Sequence, residues 1–274
     1  MMVKSRCLQV TFIWHDCFLV ETPELAMIFD YWLDESGSAN PMPQALSHLD
    51  REKPLLVFVS HGHKDHYNPA VFGWASEFEN ISYIVSRDVW RRMRHVVSPS
   101  SPYLGPKIDI SRVYALKSGE KADIGGVEVT AYPSTDIGNS YGLILPDGTR
   151  LFHAGDLNAW IWKEESTRQE IAKAMGDYQA CLRDIAVDLG ENLHFDVLFF
   201  PVDSRIGSEY WTGAAEFVRK FDVSYFFPMH FGLGDDKERE QRRKDAFRFD
   251  LYAASGEYIG LGSPGDVWHK KWTD

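Results

Sequence analysis

His61-Gly62-His63-Lys64-Asp65-His66 follows directly on the apolar run Leu55 to Ser60. Three imidazoles and a carboxylate therefore leave one strand end together. In an extended chain, side chains two apart share a face, so His61 and His63 converge while Asp65 and His66 follow as the loop turns toward Asn68-Pro69. One loop can thus feed two neighbouring cations. Imidazole nitrogen with carboxylate oxygen suits zinc, manganese or iron, and not the oxygen-only shell of magnesium or calcium. The bland alternative is a solvated loop rich in histidine. Three of the chain's ten His in this one hexapeptide weigh against it.

H-x-H-x-D-H after a buried strand resembles the signature of the metallo-β-lactamase superfamily, and most of the chain resembles that family in order. The resemblance implies a third histidine-like ligand for a first ion, an aspartate that bridges two ions, and a last histidine for the second ion, each at a strand end. The bridging position resembles Asp156, in Leu151-Phe152-His153-Ala154-Gly155-Asp156. The last ligand resembles His230, in Phe226-Phe227-Pro228-Met229-His230-Phe231; its alternative is a histidine packed between aromatics. Where the family often has His-x-x-Gly-Ser, this chain has Asp136-Ile137-Gly138-Asn139-Ser140 after the run Val127 to Tyr132. Asp136 either completes the first site, making it harder and more anionic, or caps a turn through its side chain. The opening Val10 to His15, with Phe18-Leu19-Val20 and Ile28-Phe29-Asp30, is similar to the lactonase-like branch, whose best-known members open a sugar-phosphate lactone. His15 and Asp30 are candidates to orient a ligand, or they are structural.

Coarse patterning agrees with the α/β fold this resemblance implies, a four-layer α-β-β-α sandwich of two mixed β-sheets. Strands are predicted at 8–14, 17–20, 26–30, 55–59, 81–85, 112–116, 127–132, 141–145, 150–154, 196–200 and 223–227. Helical cover is predicted in Asn68 to Phe78, Arg87 to His95, Ser208 to Phe221 and Asp236 to Ala254. A longer helix is predicted over Glu164 to Gly190, where Ile171, Ala174, Met175, Tyr178, Leu182, Ile185 and Leu189 form one apolar face. That face reads as packing; the helix could also wall the metal pocket. Ser98 to Pro106 reads as a surface loop. Trp160 and Trp162 are candidates for an apolar wall, packing being their default. Arg205 either pairs with Asp203 or holds a substrate carboxylate or phosphate. Lys64 reads as solvated, and the mixed charges from Asp235 to Asp245 as a solvent face laced with ion pairs.

A chain of 274 residues without an internal linker reads as a single domain, 1–274. Its net charge of -11 opposes attraction to a polyanion and disfavours a nuclease, so no nucleic-acid partner is expected. Bound divalent ions would offset that charge locally, leaving room for a small anionic substrate. Cys7, Cys17 and Cys181, sparse and odd in number, suggest reduced thiols and a cytoplasmic protein. Neither a secretion signal nor a membrane span is apparent; a homo-oligomer remains open.

The leading expectation is a hydrolase using hydroxide bound to two divalent transition-metal ions, zinc foremost with manganese or iron as alternatives. His61, His63 and Asp136 hold one ion, Asp65, His66 and His230 the other, and Asp156 lies between. Asp65 also orients or deprotonates the nucleophile. The expected substrate is a lactone, ester or phosphoester, and no G-x-S-x-G elbow suggests a protein nucleophile. One rival is a non-catalytic metal or metabolite binder. Another is a diiron oxidoreductase on the same scaffold, disfavoured because such relatives usually carry glutamate where this chain has His63.

Overall fold

Leu55 to Val59 reads LLVFV and is buried along its whole length, the pattern of a strand covered on both faces inside a parallel sheet. The computed structural model describes residues 6–94, 108–248 and 256–272. The chain divides into two compact units, one of residues 1–117, 122–127 and 261–274, the other of residues 118–121 and 128–260.

The first unit is built on β1 (Cys7–Trp14), β2 (Cys17–Glu21), β3 (Ala26–Phe29), β4 (Leu55–Val59), β5 (Ile81–Ser86), β6 (Val113–Leu116) and the chain's last strand, β14 (Val267–Lys271). Their order is β14-β1-β2-β3-β4-β5-β6. β1 pairs antiparallel with β14 and β2, and β2 with β3. β3, β4, β5 and β6 are mutually parallel. α1 (Arg87–Met93) makes the crossover after β5. Ile28, Val57, Val59, Tyr83 and Val85 pack with Trp74, Phe78 and Met93 in one apolar cluster.

The second sheet repeats this scheme with β7 (Lys121–Ile124), β8 (Val127–Pro133), β9 (Asn139–Ile144), β10 (Arg150–His153), β11 (His194–Pro201), β12 (Asp222–Met229) and β13 (Glu257–Tyr258). Their order is β13-β12-β11-β10-β9-β8-β7. β8, β9 and β10 form an antiparallel meander, and β10 to β13 are parallel. Parallel neighbours need long crossovers: α2 (Arg168–Leu189) joins β10 to β11, α3 (Thr212–Lys220) joins β11 to β12, and α4 (Asp236–Ala246) follows β12. Thr167 and Glu170 start α2 with a reciprocal capping box. Phe217 of α3 centres an aromatic cluster, its ring 5.1 Å from those of Phe152 and Phe200 and 4.6 Å from that of Phe221.

All eleven predicted strands form, so the α/β class with two mixed sheets is as expected. The cover over Asn68 to Phe78 is a 3-10 helix, Pro69–Ser76, rather than an α-helix. Asn68 caps it by accepting from the Ala70 N–H at 3.0 Å, and the tighter winding suits a short connector. The expected surface loop Ser98 to Pro106 lies outside the described residues, as do His95 and 249–254 of the last predicted helix. Three strands went unpredicted: β7, β13 and β14. Each lies at a sheet edge, where short strands rich in polar residues carry little hydrophobic pattern. Among the described residues, no helix is long and apolar enough to cross a membrane.

Candidate metal centre

In open α/β sheets, ligands gather beyond the carboxyl ends of parallel strands, and in each unit the candidate residues lie there. In the first unit, Asp30 follows β3 and the signature loop follows β4. In the second, Asp156 follows β10, Asp203 follows β11 and His230 follows β12.

Asp30 organises the first group. Its Oδ1 accepts from the Ser60 N–H at 2.7 Å, and its Oδ2 lies 2.6 Å from Ser60 Oγ and 2.9 Å from His66 Nδ1. A carboxylate accepts, so His66 carries its proton on Nδ1 and its Nε2 is the outward nitrogen. The Ser60 hydroxyl gives its proton to Asp30 and so accepts from His61 Nδ1, 3.0 Å away. That places the lone pair of His61 on Nε2 as well. His61 and His63 bring ligand atoms within 4.8 Å of one another, as their spacing predicted.

Two side chains of α1 clamp the loop itself. Asp88 Oδ2 accepts from the Gly62 N–H at 2.8 Å, and Arg92 donates to the Gly62 carbonyl. A Cβ on residue 62 would stand 2.7 Å from the Arg92 guanidinium, so glycine lets the backbone enter this clamp. Lys64, as expected, is exposed. His15 and Asp16 occupy the turn between β1 and β2; together with His66 they offer ligand atoms within 4.8 Å of one another.

The second unit repeats the carboxylate–histidine pairing. Asp203 Oδ2 lies 2.8 Å from His230 Nδ1, directing His230 Nε2 to within 3.2 Å of Asp156 Oδ1. Burial works against the charge of Asp203. Its hydrogen bonds with His230 and Arg205, and the Arg205 charge, outweigh it and hold the carboxyl well below its ordinary range. Arg205 pairs with Asp203 through Nε, at 3.0 and 2.8 Å to the two oxygens, which is the ion-pair alternative of the sequence reading.

Asp136 stands in the loop between β8 and β9, exposed, with a ligand atom within 4.8 Å of one on Asp156. Thr135 ties its loop to the other: its Oγ1 donates to the Asn158 carbonyl at 2.6 Å and accepts from the Asn158 N–H at 3.0 Å. Trp160 Nε1 donates to the Asp156 carbonyl at 2.8 Å, and its ring centroid lies 5.3 Å from that of His230. Trp162 is exposed.

Among the described residues, the non-glycine positions with left-handed backbone are His15, Asp30, Trp160 and His230, at φ 57°, 43°, 46° and 73°. Such a conformation costs about 1–3 kcal/mol per residue and collects at functional sites. All four belong to these two groups. Sequence reading missed Asp16, the Asp88–Arg92 clamp, and the parts of Ser60 and Thr135. The available signal for Asp16 was an acidic residue beside His15 in a turn between two apolar strands.

The donors fit a divalent transition metal: outward imidazole nitrogens, those of His66 and His230 backed by buried carboxylates and facing further carboxylate oxygens. Comparison with known proteins agrees. A family model described as a β-lactamase superfamily domain matches residues 9–230. A UPF0173 metal-dependent hydrolase of Desulforamulus reducens is 26% identical, the alignment spanning 94% of this chain and 98% of that protein. Igni18, a metallo hydrolase from the archaeon Ignicoccus hospitalis, has a similar structure, with TM-score 0.58, 16% identity, and coverage of 98% of this chain and 100% of that one. CmlA, a diiron β-hydroxylase from Streptomyces venezuelae, also shares the fold, with TM-score 0.55, 13% identity, and coverage of 97% of this chain and 54% of that one. Because the match runs from β1 through the last of these strand ends, the chain belongs to the β-lactamase superfamily.

Proposed function

We propose that this chain is a metal-dependent hydrolase with water as nucleophile, acting on a small lactone, ester or phosphoester. One observation carries the reading. Each unit holds, beyond a parallel strand, a histidine whose Nδ1 is engaged by a buried carboxylate and whose Nε2 faces a second one. His61, His63 and Asp136 are assigned to one ion, Asp65, His66 and His230 to a second, and Asp156 to both. Bound ions of this kind lower the pKa of water to about 7 and stabilise negative charge developing on a carbonyl or phosphoryl oxygen.

The protein's own part is to aim the ligands and to handle the proton. Asp30, Ser60 and Asp203 hold the rings of His66, His61 and His230 in one tautomer each. Asp65 is 24% exposed, whereas His15 and His66 are fully buried, and in this reading its carboxylate also orients the water or takes its proton. The nitrogen and oxygen donors suit zinc first, with manganese or iron suited by the carboxylate share. The name of the Desulforamulus relative supports the hydrolase class; the likeness to CmlA is one of fold and leaves the redox reading without an observation of its own.

Metal analysis of the purified protein, with turnover across a panel of lactones, esters and phosphoesters, tests this reading. About two equivalents of transition metal per chain are expected, with activity removed by a chelator and restored by zinc or manganese. No bound metal and no rescue would defeat it. Tight ligand binding without turnover would favour the binding protein. Asp203→Asn is expected to weaken metal binding about 10–100-fold by releasing the His230 ring, read by competition against a chromophoric chelator. Wild-type affinity would show that Asp203 does not position the ring.

A further inference from the structure

We propose that Asp16, with His15, is a further direct ligand of the divalent cation assigned above to Asp65 and His66. The proposal rests on the metal reading of the signature loop and adds to it two residues from the turn between β1 and β2.

The spacing is that of a coordination shell. Asp16 Oδ2 lies 3.2 Å from His66 Nε2 and 3.4 Å from His15 Nε2, and His15 Nε2 lies 3.7 Å from Asp65 Oδ2. Separations of 3.2 and 3.4 Å are within the span of two donors sharing one ion at bond lengths of about 2.0–2.2 Å. Hydrogen bonding describes the group less well, because the separations of 3.4 and 3.7 Å exceed the usual N–H···O range.

Proton placement argues the same way. Asp30 engages His66 Nδ1 at 2.9 Å, so Nε2 is the nitrogen that faces the Asp16 carboxylate. A cation held by both atoms would tie the hairpin turn to the signature loop. Asp16 and Asp30 are both buried, at 0% and 1% exposed.

The second unit holds the same arrangement. There Asp203 backs His230, whose Nε2 faces Asp156 Oδ1 at 3.2 Å. In the first unit Asp30 backs His66, whose Nε2 faces Asp16 Oδ2 at the same distance. Asp16 therefore holds, toward His66, the position that Asp156, the proposed bridging ligand, holds toward His230. Its placement follows from a two-residue turn, with Trp14 paired to Cys17 across the hairpin and His15 at φ 57°. Glycine or asparagine is the favoured residue for such backbone. The carboxylates of Asp16 and Asp65 among the donors make this shell harder than a histidine-rich one, favouring manganese or iron.

The test compares full-length wild type, Asp16→Asn and His61→Ala, each stripped by chelator and titrated with manganese(II) by calorimetry, with metal per chain read by mass spectrometry. Asp16→Asn is expected to lose one equivalent or to bind it at least about tenfold more weakly, the scale of a lost ligand-shell contact. His61→Ala is expected to keep that equivalent. Wild-type stoichiometry and affinity in Asp16→Asn overturns the proposal while leaving the dinuclear reading intact. Absence of binding in wild type defeats both. Should Asp16→Asn not fold, Asp16→Cys loaded with cobalt(II) decides. A direct ligand gives an intense sulfur-to-cobalt band in the near ultraviolet, and a folded, cobalt-loaded Asp16→Cys without that band overturns the proposal.

Discussion

Asp156→Ala is expected to lower kcat by about 10³-fold or more and to leave the purified protein short of metal. Asp156 Oδ1 lies 3.2 Å from His230 Nε2, and the proposed function gives this carboxylate to both ions. A correctly held ion contributes several kcal/mol to transition-state stabilisation, and each 1.36 kcal/mol is tenfold in rate. His63→Ala should act in the same direction through the other end of the pair. It is the milder change for the fold, because His63 is exposed while Asp156 is largely buried. Steady-state kinetics on the best substrate of the panel, with metal measured on the same samples, checks the pair. Turnover and metal content both at wild-type level in Asp156→Ala would remove this residue from the site.

Phe217→Ala is expected to cost about 3–5 kcal/mol of stability, the range for emptying a buried phenylalanine position. The ring is 0% exposed and meets Phe152 of β10, Phe195 and Phe200 of β11, and Phe221. It thus fastens α3 to the two strands whose ends carry Asp156 and Asp203. The same helix approaches the Asp156 loop closely. A Cβ at Gly213 would fall 1.8 Å from Asn158 Oδ1 and 2.8 Å from the Ala159 nitrogen, and Tyr178 of α2 donates to the Gly213 carbonyl at 2.6 Å. Loosening α3 should therefore weaken metal binding as well as lower the urea midpoint. A loss below about 1 kcal/mol would mean that the neighbouring rings close the cavity.

Much of the fold was legible because its central strands are buried on both faces and announce themselves as apolar runs. Leu55 to Val59, His194 to Pro201 and Asp222 to Met229 needed only composition and length to be placed. Val267 to Lys271 alternates exposed and half-buried residues, as an edge strand does, and its sequence could as well be a polar loop. The apolar face of α2 was legible too, yet its buried positions, Tyr178, Cys181, Leu182 and Ile185, all fall from its midpoint onward. Periodicity shows that a face exists and leaves open how far a neighbour covers it.

The sequence by itself determined which chemistry is on offer: H-x-H-x-D-H bunches its donors within one loop, and local spacing along the chain suffices to bring them to one strand end. Tertiary structure alone decided which way the rings point and what they face. Asp30 reaches His66, and Asp203 reaches His230, across neighbouring parallel strands, and Asp16 meets His66 from a separate hairpin. Those partners are far apart in the chain, and the hydrogen bonds that assign each imidazole its proton exist only once strand order has set them side by side.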